Sequence, residues 1–309
     1  MADTASHTEV PAAHATDLIV IGGGPAGCAA ARTAASVGMR SILVEPDRLC
    51  RSLHRIPALD NVLGGHTSGP ALADVITAEL ADTELCRQEL GRHVTELRAA
   101  DDHVTVTLDT GTRLTAPHAV VATGVGPLQP GDVPWITAPG GLTLSPLWQA
   151  DPDDAEGRTL LVLGGDRPIG TFLRAHPATG TRLLVAYPEA DTYKIEEIRD
   201  DPRVMLLPVE HLTLYASEGG TVTADVRNRG GGRRTVTADA VHLSIGSAPT
   251  APAGDLVRDA DGYSPPDRQH PRIIVAGDLR SARYQRIMTA LGSGSEAALR
   301  AYYAARELL

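Results

Sequence analysis

The stretch richest in chemistry is Asp17-Leu18-Ile19-Val20-Ile21-Gly22-Gly23-Gly24-Pro25-Ala26-Gly27-Cys28, an apolar run that breaks into glycines and resumes as an alanine-rich segment. Gly22 allows a tight turn, and Gly24 lets a pyrophosphate approach the backbone. Gly27 lets the following helix pack close to the strand, with Pro25 and Ala26 opening that helix toward the anion. A second apolar run, Ser41-Ile42-Leu43-Val44, ends in Glu45, an acid placed to accept the hydroxyls of an adenosine ribose. A ligand-free glycine turn has the same glycines. Strand, turn, helix, strand and acid in this order predict a bound dinucleotide.

Between Pro46 and Pro70 lies an irregular polar stretch holding Cys50, Arg51, His54, Arg55, Asp60, Asn61, Gly64, Gly65 and His66. A loop of this length is usually functional or floppy. His54 and His66 are candidates for proton transfer, since the unperturbed imidazole titrates near neutrality; the alternative is a solvated surface group. Arg51 and Arg55 are candidates for bidentate hold on a substrate carboxylate, or simply solvated cations. Trp135 and Trp148, in a chain that is 3% aromatic, are candidates to wall a pocket or to pack structurally.

These residues need a scaffold, and 309 residues suffice for two domains of ordinary size. A net charge of −10 gives no basic footprint for nucleic acid or anionic membrane. No run reaches the ~18 apolar residues of a membrane span and no basic-then-apolar leader opens the chain, so the cytoplasm is expected. Cys28, Cys50 and Cys86 are far apart in sequence, with no C-x-x-C and no metal-ligand spacing, so neither a disulfide framework nor a metal site is expected. Residues 1–16 are small and polar and read as a disordered tail.

The elements follow from periodicity. A helix is expected from Ser68 to about Cys86, with Leu72, Val75, Ile76 and Leu80 on one face. Strands at 94–97, 103–108 and 113–115 read as a meander, followed by the apolar strand His118-Ala119-Val120-Val121-Ala122 ending in Thr123-Gly124. Residues 125–157 are rich in Pro and Gly and read as a linker. A second strand-turn-helix start comes at Leu160-Leu161-Val162-Leu163-Gly164-Gly165-Asp166-Arg167-Pro168. A strand at 182–186, a helix around 195–199, a strand at 204–207 and a hairpin through Gly230-Gly231-Gly232 complete a smaller unit. The chain is expected to return at Ala240-Val241 and to end with the strand Arg272–Val275, the acid Asp278, and a helix from about Tyr284.

The N-terminal fingerprint, Ala122-Thr123-Gly124, the inserted second unit, and Ala276-Gly277-Asp278 with Tyr284-Gln285-Arg286-Ile287-Met288-Thr289-Ala290 together resemble the low-molecular-weight thioredoxin reductase family over nearly everything after residue 16. The resemblance implies an α/β chain of two Rossmann-like nucleotide-binding domains, the FAD-binding domain being discontinuous with a smaller NAD(P)-type domain inserted. The expected boundaries are 17–124, 125–240 and 241–309. It also implies a homodimer. By resemblance Gly22, Gly24, Pro25, Ala26 and Gly27 face the FAD pyrophosphate and Glu45 the ribose. Ala122, Thr123 and Gly124 lie beside the cofactor, Gly277 and Asp278 at the ribityl chain, and Gln285, Arg286 and Ile287 beside the flavin ring; a helix cap is the alternative for Asp278. Asn61, in Asp60-Asn61-Val62-Leu63-Gly64, matches in part a turn the family places against the cofactor, and loop packing explains it equally well. The same resemblance brings the loop of His54, Arg55 and His66 near the flavin. Cys50 stands where the family has a glycine, as a reactive thiolate or as a buried inert thiol.

Two departures matter. Where the family carries its redox cysteine pair this chain has Gly141-Leu142-Thr143-Leu144-Ser145-Pro146-Leu147-Trp148, with no thiol, which disfavours both thioredoxin reduction and dithiol oxidation of the gliotoxin type. Asp166 stands where the second turn needs a glycine to admit phosphate, and Ala186-Tyr187-Pro188-Glu189 brings no arginine for a 2′-phosphate, although Glu189 suits the ribose of NADH. The expected activity is therefore oxidation of a small organic substrate by hydride transfer to flavin, with oxygen as acceptor. An NADH- or ferredoxin-dependent flavin reductase and a non-catalytic flavin-binding module are the alternatives.

Overall fold

The computed structural model describes residues 16–215 and 220–308. The first fifteen residues of the expected tail lie outside these. Thr16 does not belong to a tail: it is buried, and its hydroxyl donates to the Arg40 carbonyl at 3.0 Å. The chain divides into two units, one formed by residues up to Val125 and from Pro249 onward, the other by Gly126–Ala248.

In chain order the first unit begins with β1 (Leu18–Ile21), α1 (Pro25–Ser36), β2 (Ser41–Glu45), α2 (Gly69–Ala81) and β3 (Cys86–Leu90). A meander of β4 (Val94–Ala99), β5 (Val104–Leu108) and β6 (Arg113–Ala116) follows, and then β7 (His118–Val121). The second unit contains β8 (Ile136–Thr137), β9 (Thr159–Leu163), α3 (Pro168–Ala175), β10 (Arg182–Pro188) and β11 (Val204–Val209). It continues through β12 (His211–Leu214), β13 (Val222–Arg227), β14 (Arg233–Ala238) and β15 (Ala240–Leu243). The chain returns through β16 (Ala253–Gly254) and β17 (Ile273–Val275) to α4 (Ile287–Ala304).

In the first unit five parallel strands lie in the order β17-β7-β1-β2-β3, with Leu18 in register with Ser41 on one side and His118 on the other. Successive strand residues point to opposite faces, so the four buried residues of β1 serve two cores. Leu18 and Val20 pack with Ala30, Ala31 and Ala34 of α1 and Ala297, Ala298 and Ala301 of α4. Ile19 and Ile21 pack with Leu97, Val104, Val106 and Leu114 of the meander sheet, ordered β16-β4-β5-β6. Each such aliphatic side chain contributes about 1.5–3 kcal/mol by leaving water. The second unit repeats the scheme on the sheet β11-β10-β9-β15: Leu160 and Val162 pack with Ile169, Phe172 and Leu173 of α3, while Leu161 and Leu163 face the sheet β14-β13-β12-β8.

Four sequence expectations change. The helix after Ser68 stops at Ala81, and Cys86 begins β3 instead, because Cys86 pairs in register with Ser41 and completes the parallel sheet. The segment near 195–199 forms only a 3-10 turn, Ile195–Ile198. The final helix starts at Ile287, since Tyr284 takes φ +62, outside helical space. The chain does not re-enter the first unit at 241: Ala240–Leu243 pairs in parallel with Leu160–Leu163 and holds the second unit together through Ala248. Among the described residues no helix is long and apolar enough to cross a membrane.

Candidate functional site

The three glycines of the first turn do three different things. Gly22 takes φ +102, and a Cβ there would lie 2.5 Å from the Ala122 carbonyl oxygen, so strand β7 presses on the turn from the side. At Gly27 a Cβ would lie 1.8 Å from the Gly22 carbonyl oxygen, so α1 sits directly on the strand end. Gly24 differs: nothing lies within 4 Å of its Cβ position, leaving an open cradle in front of α1. Pro25 occupies the first helical turn, where its missing N–H costs nothing. The unpaired amides of that turn are free to meet an anion.

Around the cradle stand polar groups without partners or with loose ones. Glu45, at the end of β2, accepts from the Gly23 N–H at 2.6 Å and from the Asp47 N–H at 3.1 Å. The Thr123 hydroxyl is buried with no hydrogen bond, while Gly124 takes φ +66 and its carbonyl accepts from the Thr250 N–H at 3.0 Å. Gly277, at φ +69, donates its N–H to the Ser293 hydroxyl at 2.9 Å, and a Cβ on it would lie 2.9 Å from the Ala26 methyl. Gly294 of α4 packs against the same residue, its Cβ position 1.9 Å from the Ala26 carbonyl oxygen. Thus Ala26 collects the start of α1, the Gly277 turn and the first turns of α4.

Asp278 follows in a 3-10 turn, Gly277–Arg280, and caps no helix: α4 is capped at Arg286. Burial pushes its carboxyl up from the ordinary range, partly offset by the Arg286 cation, and it makes no hydrogen bond among the described residues. Gln285 donates to the Ser281 carbonyl at 3.1 Å and to the Asp278 carbonyl at 3.3 Å, which ties the 3-10 turn to the approach of α4. Arg286 folds back onto the Gln285 carbonyl at 2.7 Å, and Ile287, the first residue of α4, packs on the core. An open anion cradle, a ribose-type acid, an orphaned buried hydroxyl and a half-buried carboxyl without a hydrogen bond converge on one end of the sheet. These residues fit FAD.

The loop after β2 is a closed excursion. Leu59 donates to the Thr67 carbonyl at 2.8 Å and Gly69 to the Ile56 carbonyl at 2.9 Å, pinning its two arms. His54 and Arg55 lie on a 3-10 turn, Leu53–Arg55, and His66 lies on the returning arm next to Gly64. All three are half-buried, and neither histidine makes a hydrogen bond among the described residues. Burial and the neighbouring Arg51 push the Arg55 guanidinium down to about 10, which leaves it charged at neutral pH. Arg51 is engaged by Asp47 at 2.9 Å, and Asn61 is exposed on the loop.

The second turn reproduces the first in part. Gly164 takes φ +97 with its Cβ position 2.3 Å from the Ser244 carbonyl oxygen, matching Gly22, and Gly165 is crowded by Ile195 as Gly23 is by Leu49. The match ends there. Asp166 replaces the open Gly24, Arg167 takes the N-cap of α3, and Gly170 faces Glu197 rather than the turn. Glu189, at the end of β10, is engaged by Arg229, and Lys194 pairs with Asp191 at 3.0 Å. Trp135 packs on the sheet core of its own unit.

One contact escaped the sequence reading. Cys28 and Cys50, 22 positions apart, bring their sulfurs to 3.9 Å beneath Gly23. Only the turn after β2, which folds back under the glycines, makes them neighbours.

The fold and the first turn define a dinucleotide-binding protein built from two Rossmann-like units, with a site that fits FAD. Residues 16–165 match the family described as pyridine nucleotide-disulphide oxidoreductase, and the fold of the whole chain is similar to that of solved thioredoxin reductases. The thioredoxin reductase of Lactococcus lactis superposes with a TM-score of 0.77 at 21% identity, covering 95% of this chain and 100% of that one. The thioredoxin reductase of T. acidophilum gives 0.76 at 18% identity, covering 94% and 99%. In sequence, the chain is 25% identical over 315 residues to a subunit of the alkyl hydroperoxide reductase of Xanthomonas campestris pv. phaseoli, covering 95% of this chain and 58% of that protein. The chain therefore spans about three-fifths of the length of the curated relatives it matches.

Proposed function

We propose that this FAD oxidoreductase oxidises a small organic substrate by hydride transfer to the flavin, with oxygen as the acceptor and no C-x-x-C disulfide, in a cytoplasmic homodimer of the kind the family resemblance implies. The observation that carries the reading is the contrast between the two turns: Gly24 opens a phosphate cradle, whereas Asp166 places a carboxylate at the equivalent point. A carboxylate there repels a pyrophosphate, most strongly where water is excluded. With no thiol in residues 141–148 either, neither the usual donor nor the usual acceptor of the fold has a place.

Bound FAD supplies a two-electron hydride acceptor. The chain's own groups then hold and prepare the substrate. Arg55, a persistent cation on the pinned loop, is suited to a substrate carboxylate. His54 and His66, without hydrogen-bond partners among the described residues, are suited to take the proton that leaves as the hydride departs. Asp278 and the Thr123 hydroxyl are suited to the cofactor's own hydroxyls.

The named relatives are reductases, and that favours a second reading, in which a nicotinamide or a redox protein such as ferredoxin feeds the flavin. Anaerobic stopped-flow bleaching separates the two. NADPH and NADH are expected to bind with dissociation constants above about 1 mM, worth ~4.1 kcal/mol at most. Amine, alcohol and carboxylic-acid panels are expected to contain a compound that bleaches the flavin quickly, with oxygen restoring the colour. Fast, saturable reduction by micromolar NADPH or NADH, or by reduced ferredoxin, establishes the reductase instead; a flavin that no donor bleaches points to a binding module.

A further inference from the structure

The turn that cradles the dinucleotide rests on a dithiol. Cys28 Sγ lies 3.9 Å from Cys50 Sγ, and both residues are buried. Both also grip Gly23: the Cys28 thiol donates to its carbonyl at 3.3 Å and the Cys50 N–H donates to the same oxygen at 2.8 Å, while the Gly23 N–H goes to Glu45. Cys50 holds φ +53, a left-handed conformation that favours glycine over any residue with a Cβ. A strained cysteine in glycine's backbone, sulfur to sulfur with a helix cysteine, is more than filler.

We propose that Cys28 and Cys50 form a peroxide-responsive switch on dinucleotide binding, a hydroperoxide converting the pair to a disulfide that draws Gly23 and its turn out of the geometry that receives the pyrophosphate. One thiol sulfur attacks the peroxide oxygen and the O–O bond breaks, giving a sulfenic acid and one molecule of water or alcohol. The second thiol attacks that sulfur, an S–S bond forms, the S–O bond breaks and a molecule of water leaves. The two thiols lose two protons and two electrons, and the hydroperoxide is reduced. Going from a 3.9 Å approach to a bond shortens the span between the first turn of α1 and the loop after β2, where close packing leaves no slack. The neighbouring Cys50 sulfur and burial push the Cys28 thiol well above its ordinary range. Oxygen that accepts two electrons leaves as hydrogen peroxide. That internal supply rests on the oxidase reading, whereas added peroxide tests the pair without it.

The experiment treats the full-length, FAD-loaded protein with hydrogen peroxide and follows peptide mapping together with flavin fluorescence. A Cys28–Cys50 cross-link is expected, with Cys86 still free, and FAD affinity falling about tenfold, or ~1.4 kcal/mol. A dithiol reductant restores both. Cys50→Gly, which suits the backbone better, is expected to keep FAD and to lose the response. Cys28 and Cys50 recovered uncross-linked after peroxide, a cross-link that leaves FAD affinity unchanged, or the same loss of FAD in Cys50→Gly each overturns the proposal.

Discussion

A side chain at Gly24 has room to grow, since no heavy atom lies within 4 Å of its Cβ position, and its φ of −73 suits any residue. Gly24→Asp is therefore expected to fold with an unchanged melting temperature for the flavin-free protein and to purify colourless, the carboxylate filling the cradle. Full flavin occupancy in that variant, read from the visible absorbance, contradicts the site. Gly27→Ala is the complementary case: its methyl would meet the Gly22 carbonyl, so the fold is destabilised by overpacking of about 1–3 kcal/mol or more, and flavin is lost as the turn shifts. Asp278 makes a pH-dependent prediction. Its carboxyl is raised in the folded chain, so between the ordinary carboxylate value of about 3.9 and the raised one the folded state binds more protons than the unfolded. Stability of the flavin-free protein falls as pH rises through that window. Asp278→Asn removes this contribution, so its melting temperature gains on wild type as pH rises and coincides below the window; the opposite slope rules the assignment out.

Helix α3 has eight residues, too few to persist alone, and depends on what receives its last carbonyls. Arg203 does so, donating to the His176 carbonyl at 2.7 Å and the Leu173 carbonyl at 3.1 Å while Asp201 holds it at 2.8 Å. Arg203→Ala is expected to cost about 2–3 kcal/mol by breaking charged hydrogen bonds in a partly buried site. Thermal unfolding measures it, with Arg203→Lys recovering only part, because one ammonium cannot span two carbonyls and a carboxylate. The same pairing holds the Asp201 carboxyl below its ordinary range, so its contribution is present above that range and is lost as pH falls through the lowered value. Element boundaries were the least legible feature at this scale. Apolar spacing carried the helix after Ser68 past its end, because Cys86 reads as one more apolar position until its pairing with Ser41 makes it the first residue of a strand.

Across the whole molecule, the five strands of the sheet β17-β7-β1-β2-β3, with α1 and α4, belong to the first unit, and the chain leaves and re-enters it at adjoining points: the Thr250 N–H bonds the Gly124 carbonyl at 3.0 Å. Replacing residues 126–248 by a short glycine linker is expected to leave a folded protein that still purifies yellow, as read from its visible absorbance. A colourless product would mean that the cradle needs the inserted unit. From the sequence alone came the order of elements, the three glycine roles, the acid after β2 and the altered second turn, because each rests on backbone conformations and spacings that local residue types dictate. Only the tertiary structure decided that β15 belongs to the inserted unit, that Asp278 is half-buried beside Arg286, that Gly294 packs on Ala26, and that Cys28 meets Cys50. Those depend on which distant segments the two cores bring together, and burial of apolar faces, being non-directional, leaves no local mark of its partner in the sequence.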